Sequence, residues 1–403
     1  MMEFQLERLF QKKRDAGIKV SARWIMNQAL HLAKQLYPAV KFVASAGWLR
    51  RFAHRNKIVP RVKSNAKVHS VAARVPLCQQ WHANFRAFLA RADIPNTISQ
   101  FNPKWGRFPP ELRFNVDQVP FSFVVDQSRT WAKKGQTGVW IAEPGNGAWS
   151  KRQATLILLV CADARVKCRP AIIFRGQGLR ISALEREQWS KDIDVYWQKN
   201  AWATEEIMIK WVKRTWSASL GDKDERRRAL LLCDNLHAQT TPAFRKACDE
   251  EGATVWYYPP NCTDLLQVID AGHGRDVKRY AGEEYADWCS DDGTLESWED
   301  GSLDAAARRV LMTQWAVTGI RRAQTSTDEK LVRFVRTYFL KTGSLMTIDG
   351  SDDELVKPQG CKEYTFNIAP NADSNELVSC VHALHANSVC RHWNRRQMRK
   401  RRR

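Results

Sequence analysis

Apolar side chains recur at helical spacing through the first sixty residues. Residues 3–58 predict three amphipathic helices, because apolar positions return every three or four residues. Gly17 is expected to end the first helix and Ser21 to cap the second, with Pro38 just beyond its end. A third helix is expected to begin near Ser45. The pattern therefore predicts a small all-α domain.

From residue 112 the pattern changes to short apolar runs that alternate with helical segments. Before that point, 60–70 read as a basic linker and 71–92 predict another helix. Strands are expected within 112–125, 139–143, 154–162, 170–176, 229–234 and 254–258. Helices are expected at about 203–218 and 242–251, from 270 onward, and at 302–323. This order predicts an α/β domain, a mixed sheet with flanking helices.

The bulk composition is that of a folded protein of several domains. A chain of 403 residues with 44% hydrophobic side chains is long enough for two or three domains and can bury a sizeable core. The longest apolar run has eight residues, at 155–162. Since a membrane span needs about 20, the sequence predicts no membrane association.

Positive charge is concentrated at the two ends of the chain. The formal net charge is +21. Residues 1–67 carry 15 Lys and Arg against three acids, and 395–403 carry seven Lys and Arg without an acid. Charge that serves solubility would be spread evenly, whereas clustered charge is typical of a surface that binds a polyanion. Nucleic acid is the expected partner.

Three aspartates lie where predicted strands end or helices begin. Asp117 lies in a strand, Asp234 ends an apolar strand, and Asp270 follows a Pro-Pro loop and opens a helix. Carboxylates at strand ends converge at one edge of a sheet, and hard oxygen donors there suit Mg²⁺. Two such ions about 4 Å apart would activate an attacking oxygen and stabilise the leaving one. The alternative is that these aspartates only stabilise turns or cap helices.

The residues that flank these aspartates resemble a known family. Residues 114–281 resemble the DDE endonuclease domain of pogo-like and related transposases, in the broad mariner-type superfamily. The matching blocks occur in the family's order: NVDQVPF (115–121), KRQATLILLVCAD (151–163), AIIFRGQG (171–178), WQKNAWATEEIMIKWV (197–212), LLLCDNLHAQTT (230–241) and WYYPPNCTDLLQVIDAGHGRDVK (256–278). The resemblance implies a ribonuclease H-like fold, a Mg²⁺ or Mn²⁺ cofactor, and Asp117, Asp234 and Asp270 as catalytic metal ligands.

The chain departs from the family pattern at two positions. The family often has Glu after its first aspartate, where this chain has Gln118. The family's usual proline two residues before the third aspartate is Val268, and this could loosen the turn that aims Asp270, because proline would fix φ there. Asp264, in the same loop, is the alternative third ligand.

Several further residues match family positions. Asn235 and His237 are candidates to orient a ligand or contact substrate, although a surface histidine without such a role is the alternative. Lys151 and Arg152 are a basic pair that could hold phosphate or simply face solvent. Two tryptophans, Trp197 and Trp202, are expected in the core rather than stacked on bases.

The N-terminal helices resemble the second helix-turn-helix of the centromere protein B-type DNA-binding region. The signature is FVASAGWLRRFAHRNKI (42–58). A helix with an apolar face and several arginines can enter a major groove, and arginine also contacts phosphates. The candidate DNA-binding residues are Trp48, Arg50, Arg51, Arg55 and Lys57. Relatives carry two such units in tandem, and the chain is expected to begin at the second.

Two features near the end of the chain remain open. A cluster of cysteines and histidines, Cys380, His382, His385, Cys390 and His392, could bind zinc, but its spacing matches no established zinc pattern. The terminal RRQMRKRRR is either a nuclear import signal or a DNA-contacting tail. Residues 349–376 are expected to form an acidic loop or linker.

These observations lead to a principal hypothesis and two alternatives. The principal one is a Mg²⁺-dependent DDE transposase in the nucleus that acts on double-stranded DNA and could assemble there as a homo-oligomer. The first alternative is a domesticated, non-catalytic DNA-binding protein with the same fold. The second is a ribonuclease H-like nuclease with another substrate. The expected domains are a helix-turn-helix at 1–67, a helical linker at 68–111, the endonuclease at 112–325 and a C-terminal region at 326–403.

Overall fold

The computed structural model divides the chain into two compact units, Met1–Pro76 and Leu77–Arg403. It describes residues 1–15, 20, 22–59, 70–92, 100–121, 154–221, 227–289, 294–299, 302–328, 332–361 and 363–370. The features predicted from the sequence that lie outside these residues are Gly17, Ser21, the strand at 139–143, Lys151, Arg152, the Cys/His cluster and the basic tail.

Three helices build the core of the first unit. They are α1 (Met2–Asp15), α2 (Ala22–Leu36) and α3 (Ala46–Arg55). One apolar face of each helix points inward, as the helical spacing predicts. The buried side chains of this core are Met2, Leu6, Ile25, Ala29, Leu32, Ala33, Trp48 and Phe52.

The start of α3 is fixed by a cap and by aromatic packing. The Ser45 hydroxyl accepts a hydrogen bond from the Trp48 amide at 3.1 Å, which satisfies one of the free donors at the helix start. The Trp48 ring stacks on Phe52 with centroids 5.3 Å apart and meets the edge of Phe42 at the same distance. The indole therefore serves the core of the unit and is only 8% exposed.

A six-stranded mixed sheet forms the centre of the second unit. Its strands lie in the order β4-β3-β2-β1-β5-β6, with β2 antiparallel to both of its neighbours and the other pairs parallel. The bounds are β1 Arg113–Phe121, β2 Ala154–Cys161, β3 Ala171–Arg175, β4 Asp194–Gln198, β5 Ala229–Cys233 and β6 Ala253–Tyr257. The predicted α/β class with a mixed sheet is thus confirmed.

Helices flank the sheet, and all of them except α4, which precedes β1, come after strands in the sequence. They are α4 (Val71–Ala90), α5 (Ala183–Gln188), α6 (Glu205–Trp211), α7 (Ser217–Ser219), α8 (His237–Thr240), α9 (Pro242–Glu250), α10 (Thr263–Leu266), α11 (Gly274–Trp288), α12 (Thr294–Glu299), α13 (Ala305–Thr325) and α14 (Phe334–Lys341). A π-helical segment, Val212–Trp216, joins α6 to α7, and another, Ile269–His273, precedes α11. In the described part of the chain, every helix is too short or too polar to cross a membrane.

A fully buried arginine ties the start of β1 to two loops. The Arg113 guanidinium donates to the carbonyls of Trp105 and Phe108 at 2.6 Å each and to that of Met346 at 2.8 Å. Burial lowers the pKa of Arg113 to about 9. Because β1 carries Asp117, this network fixes the base of the strand on which the candidate site is built.

The stretch expected as an acidic loop packs against α4 in its described part. Asp353, in a 3₁₀ turn over Asp353–Leu355, forms an ion pair with Arg86 of α4. The Phe366 ring is buried and lies 4.8 Å from the Arg86 guanidinium carbon and 4.8 Å from the His82 ring. The segment is therefore part of the folded unit rather than a linker.

Candidate active site

Asp117 lies on β1, and Asp234 immediately follows the neighbouring parallel strand β5. The β1–β5 ladder pairs Asn115 with Leu232, and this is its last pair. Asp117 and Asp234 each lie two residues beyond it, so the two carboxylates extend from the same edge of the sheet. Asp117 is only 8% exposed and Asp234 is half-buried.

Asp270 lies on the exposed side of the π-helical segment that precedes α11. Residue Val268 has a φ of −58°, which is the value that proline would impose. The valine thus holds the backbone near the angle that a proline would give. Gly272 allows close packing in the same turn, because a Cβ there would lie 2.4 Å from the Tyr338 ring. The Tyr338 hydroxyl in turn donates to Asp276 at 2.7 Å.

The pKa values of Asp117 and Asp234 depend on burial and on the neighbouring carboxylates. Burial raises the pKa of Asp117 well above its usual range, and the negative charges of Asp270 and Asp234 raise it further. Burial also raises the pKa of Asp234, with a smaller contribution from Asp270. Asp270 thus raises the pKa of both Asp117 and Asp234. Among the described side chains, Asp264 is not one of the charges that raise either pKa.

Hydrogen bonds hold the first two carboxylates in place. The Asp117 Oδ1 atom accepts from the Gln118 amide at 2.7 Å, and the nearby Gln267 side chain lowers the pKa of this carboxylate. The Asp234 Oδ1 atom accepts from the Leu236 amide at 3.1 Å. These bonds offset part of the cost of holding negative charge in a partly buried place.

The carboxylate oxygens of the three aspartates are suitable ligands for a hard divalent cation. Three carboxylates that repel one another gain from a cation between them, and their oxygens are the ligands that Mg²⁺ and Mn²⁺ prefer. Within the described residues, however, no three His, Cys, Asp or Glu side chains form a group that could hold a metal ion together. Asp270 is near enough to raise the pKa of Asp117 and of Asp234, but the three side chains do not form a closed cage.

The other residues singled out from the sequence have varied surroundings. The Asn235 side chain donates to the Tyr258 carbonyl, so it stabilises the loop after β5. His237 is exposed at the first position of α8. Trp197 is half-buried and packs on Phe174, but Trp202 is 56% exposed, so its expected place in the core was wrong. Trp202 lies in a polar loop ahead of α6, and the hydrophobicity of a side chain does not by itself predict burial in such a loop.

Sequence reasoning missed two buried amides beside the aspartates. Asn115 lies two residues before Asp117 and is fully buried, as is Gln267, three residues before Asp270. The signal was a polar residue inside an apolar run, FNVD in one case and LLQVI in the other. A buried amide must be hydrogen-bonded to be tolerated, and it therefore marks a place where segments are joined.

The candidate DNA-binding residues of α3 fall into three groups. Arg50, Arg51 and Lys57 are exposed. Arg55 is also exposed, but it forms an ion pair with Glu3 of α1. Trp48 lies in the core, so its ring is not available to a nucleic acid, and this candidate contact is corrected. The exposed cations leave a basic helix surface on this unit.

Two family models match the chain. Residues 1–62 match the Tc5 transposase DNA-binding domain, and residues 151–318 match the DDE superfamily endonuclease. Asp234 and Asp270 fall inside the second match. Asp117 precedes it and joins the site through β1.

Curated relatives and solved structures show more distant likeness. The pogo transposable elements with KRAB domain of Mus musculus and of Homo sapiens are each 22% identical over 273 residues, or 68% of this chain and 41% of theirs. The chain thus spans about two fifths of the length of these relatives. A solved Mos1 mariner paired-end complex with Mn is 13% identical, with a TM-score of 0.41 over 87% of this chain and 79% of that one.

The secondary structure of each matched segment agrees with that of the unit in which it lies. The first is all-helical, and the second contains most of the mixed sheet and the helices around it. Residues 1–62 are therefore similar to the Tc5 transposase DNA-binding domain, and residues 151–318 are similar to the DDE superfamily endonuclease.

Proposed function

We propose that this chain is a DNA transposase that cuts and joins phosphodiester bonds with a divalent metal ion. The observation that carries the proposal is that Asp117 and Asp234 lie at one sheet edge, with Asp270 near enough to raise the pKa of both, in a chain whose residues 151–318 match a DDE superfamily endonuclease. Its catalytic domain is ribonuclease H-like, and its substrate is double-stranded DNA.

Asp117, Asp234 and Asp270 would hold Mg²⁺ or Mn²⁺. The metal, when bound, supplies charge stabilisation to the attacking and leaving oxygens. The buried Asp117 on β1 and the half-buried Asp234 just after β5 supply two carboxylates from the sheet edge, and the exposed Asp270 completes the set from the turn. We assign the third role to Asp270 rather than Asp264, because Asp270 acts on the charge of both other aspartates.

Residues around the aspartates supply supporting roles in this proposal. Asn235 holds the loop that follows Asp234, through its bond to the Tyr258 carbonyl. His237 is exposed three residues after Asp234 and is placed to meet substrate rather than to ligate metal. We assign phosphate contacts to the basic pair Lys151 and Arg152 on their family positions alone.

The N-terminal helices provide the DNA-binding half of the proposal. Arg50, Arg51 and Lys57 are exposed cations on or beside α3, whose family match is a transposase DNA-binding domain. Exposed arginines contact phosphates and base edges. We place this domain at 1–67, the helical linker at 68–111, the endonuclease at 112–325 and the C-terminal region at 326–403. Work on chromosomal DNA places the protein in the nucleus, and assembly on paired ends would make it a homo-oligomer there.

The deciding experiment is a cleavage assay on duplex DNA that carries the ends of the element that encodes the chain. We expect Mg²⁺- or Mn²⁺-dependent nicking by the wild-type chain and loss of nicking on chelation. Tight DNA binding without cleavage in either metal would overturn the transposase proposal. It would favour the domesticated, non-catalytic DNA-binding protein instead.

A further inference from the structure

One buried side chain touches the backbone of both segments that carry the other two aspartates. Asn115 lies on β1, two residues before Asp117, and is fully buried. Its Nδ2 atom donates to the Leu232 carbonyl at 3.0 Å, and its Oδ1 atom accepts from the Ile269 amide at 3.1 Å. Leu232 lies two residues before Asp234, and Ile269 immediately precedes Asp270.

We propose that Asn115 is a positioning residue that sets the placement of the three aspartates relative to one another. The inference rests on the proposed function, since it concerns the same site. It adds a residue that does not itself bind metal or substrate but acts through the backbone of those that do.

The place of this amide in the sheet explains why such a residue is needed. The β1–β5 ladder ends at the Asn115–Leu232 pair, so its backbone bonds do not extend to Asp117 and Asp234. Asp270 lies in a π-helical segment outside every strand. The Asn115 side chain is therefore a link between the end of the ladder and the turn, at the point where sheet bonding stops.

The chemistry of the link requires an amide. The Leu232 carbonyl needs a donor and the Ile269 amide needs an acceptor, and a primary amide offers both from one planar group. A carboxylate at this position would keep the acceptor but lose the donor, and would add negative charge beside aspartates whose pKa is already raised. An apolar residue would lose both bonds and leave two buried backbone groups unsatisfied.

A second buried amide supports the same placement. Gln267 lies in the chain just before the turn, and its Nε2 atom donates to the Val116 carbonyl at 3.4 Å. The turn is thus tied to β1 at both Asn115 and Val116, and the Asn115 link is the one that also reaches β5.

The test compares Asn115→Leu and Asn115→Asp with a matched control, Asn84→Leu. Asn84 is an equally buried asparagine, on α4, and the site does not use it. Four quantities are measured in the full chain: the thermal midpoint, duplex DNA affinity, Mn²⁺ affinity from the electron paramagnetic resonance signal of free Mn²⁺, and the rate of cleavage. Mn²⁺ affinity is the readout that a merely structural role would not move.

We expect Asn115→Leu to weaken Mn²⁺ binding at least about tenfold and to slow cleavage by a similar or larger factor, with DNA affinity within about twofold of wild type. Asn115→Asp should lie between wild type and Asn115→Leu in cleavage. Asn84→Leu should lower the thermal midpoint comparably but leave Mn²⁺ affinity and cleavage within about twofold.

Three outcomes separate the failures. Wild-type Mn²⁺ affinity in folded Asn115→Leu overturns the positioning role and leaves the proposed function intact. An equal loss of Mn²⁺ affinity in Asn84→Leu also overturns it, because the effect would then follow from general loosening of the fold. A wild-type chain that binds no Mn²⁺ overturns the metal-dependent function and this inference together.

Discussion

Arg55 at the end of α3 forms a two-pronged ion pair with Glu3 near the start of α1. The Nε atom donates to Oε2 at 3.1 Å and Nη2 to Oε1 at 2.5 Å. Both side chains are partly exposed, so the pair contributes at most about 1 kcal/mol to stability. Its larger consequence is for binding, because a guanidinium held by a carboxylate is a weaker partner for phosphate than an unpaired one.

This pairing predicts unequal effects among the arginines of α3. Replacing Arg50 and Arg51 together with glutamine should lower the dependence of log affinity on log salt by roughly two units, because each phosphate contact contributes about 0.9. Arg55→Gln should lower it by clearly less than the roughly 0.9 units expected for one unpaired arginine. Fluorescence anisotropy titrations of a labelled duplex at four salt concentrations measure these slopes.

A companion variant checks that the pairing is the cause. In Glu3→Gln the guanidinium is released, so the salt dependence should steepen slightly and affinity should rise. Equal slopes for Arg50, Arg51 and Arg55 single variants would show that the ion pair does not restrain Arg55 in solution.

The raised pKa of Asp117 predicts opposite effects of one substitution on stability and on catalysis. The ionised Asp117 is disfavoured by burial and by Asp270 and Asp234. Asp117→Asn removes that charge while keeping the shape, so the metal-free protein should gain thermal stability at pH 7. Cleavage should fall by at least about a thousandfold, because a ligand for the metal is lost, and DNA affinity should stay within about twofold.

The sign of the pH effect follows from the same shift. A carboxyl whose pKa is higher in the folded than in the unfolded chain binds more protons when folded. The free energy of unfolding of the metal-free wild type should therefore fall as pH rises from the unfolded to the folded pKa of Asp117. The stability gain of Asp117→Asn should therefore shrink below the raised pKa of Asp117. A metal-free variant that is less stable than wild type at pH 7 would contradict the charge argument.

The positions of most strands, and of Asp117 and Asp234 in or just after them, could be predicted because they follow from apolar runs. Strands β2 and β5 are continuous buried runs, and their ends mark the sheet edge. Strand β4 was missed because it begins with Asp194, which is buried yet charged. Ion pairs with Arg169 at 3.1 Å and Arg214 at 2.9 Å make that burial tolerable, and only the fold brings these arginines together.

The finer structure of the site could not be predicted for a similar reason. Whether Asp264 or Asp270 approaches Asp117 depends on a π-helical turn, and no local periodicity indicates one. The role of Asn115 depends on two backbone groups that lie 117 and 154 residues further along the chain. Sequence patterns within one element cannot indicate contacts over that separation.

A buried histidine predicts acid sensitivity of the fold. Burial lowers the pKa of His82 to about 4, while its ring nitrogens contact the Tyr364 hydroxyl at 2.7 Å and the Thr342 carbonyl at 2.9 Å. The bond to Thr342 partly raises the pKa and the nearby Arg86 lowers it. A depressed pKa means that stability is present above about pH 6.5 and is lost as pH falls toward 4.

The size of the effect can be measured by urea unfolding at pH 7 and pH 5. Linkage predicts that His82 alone makes the chain about 2 kcal/mol less stable at pH 5. His82→Gln should remove that part of the pH dependence, even if it lowers stability at both pH values. His54→Gln, at an exposed position of α3, is the control and should leave the pH dependence as in wild type. Unchanged pH dependence in His82→Gln would exclude His82 as the source.

The choice between Asp264 and Asp270 as third ligand can be decided by a pair of matched substitutions. Asp270 raises the pKa of both Asp117 and Asp234, whereas Asp264, in the first turn of α10, raises neither. Asp270→Asn should therefore lower the pKa of Asp117 and reduce cleavage by at least about a hundredfold. Asp264→Asn should leave cleavage within about threefold.

The pH dependence of Mn²⁺ affinity provides a second test of the same choice. Metal binding requires deprotonated carboxylates, so wild-type Mn²⁺ affinity should rise with pH through the raised pKa values of Asp117 and Asp234. Removing the Asp270 charge lowers the pKa of Asp117 and of Asp234. The increase of Mn²⁺ affinity with pH should therefore shift to lower pH in Asp270→Asn and remain at the wild-type pH in Asp264→Asn. The reverse pattern, with Asp264→Asn inactive and shifted, would move the third role to Asp264.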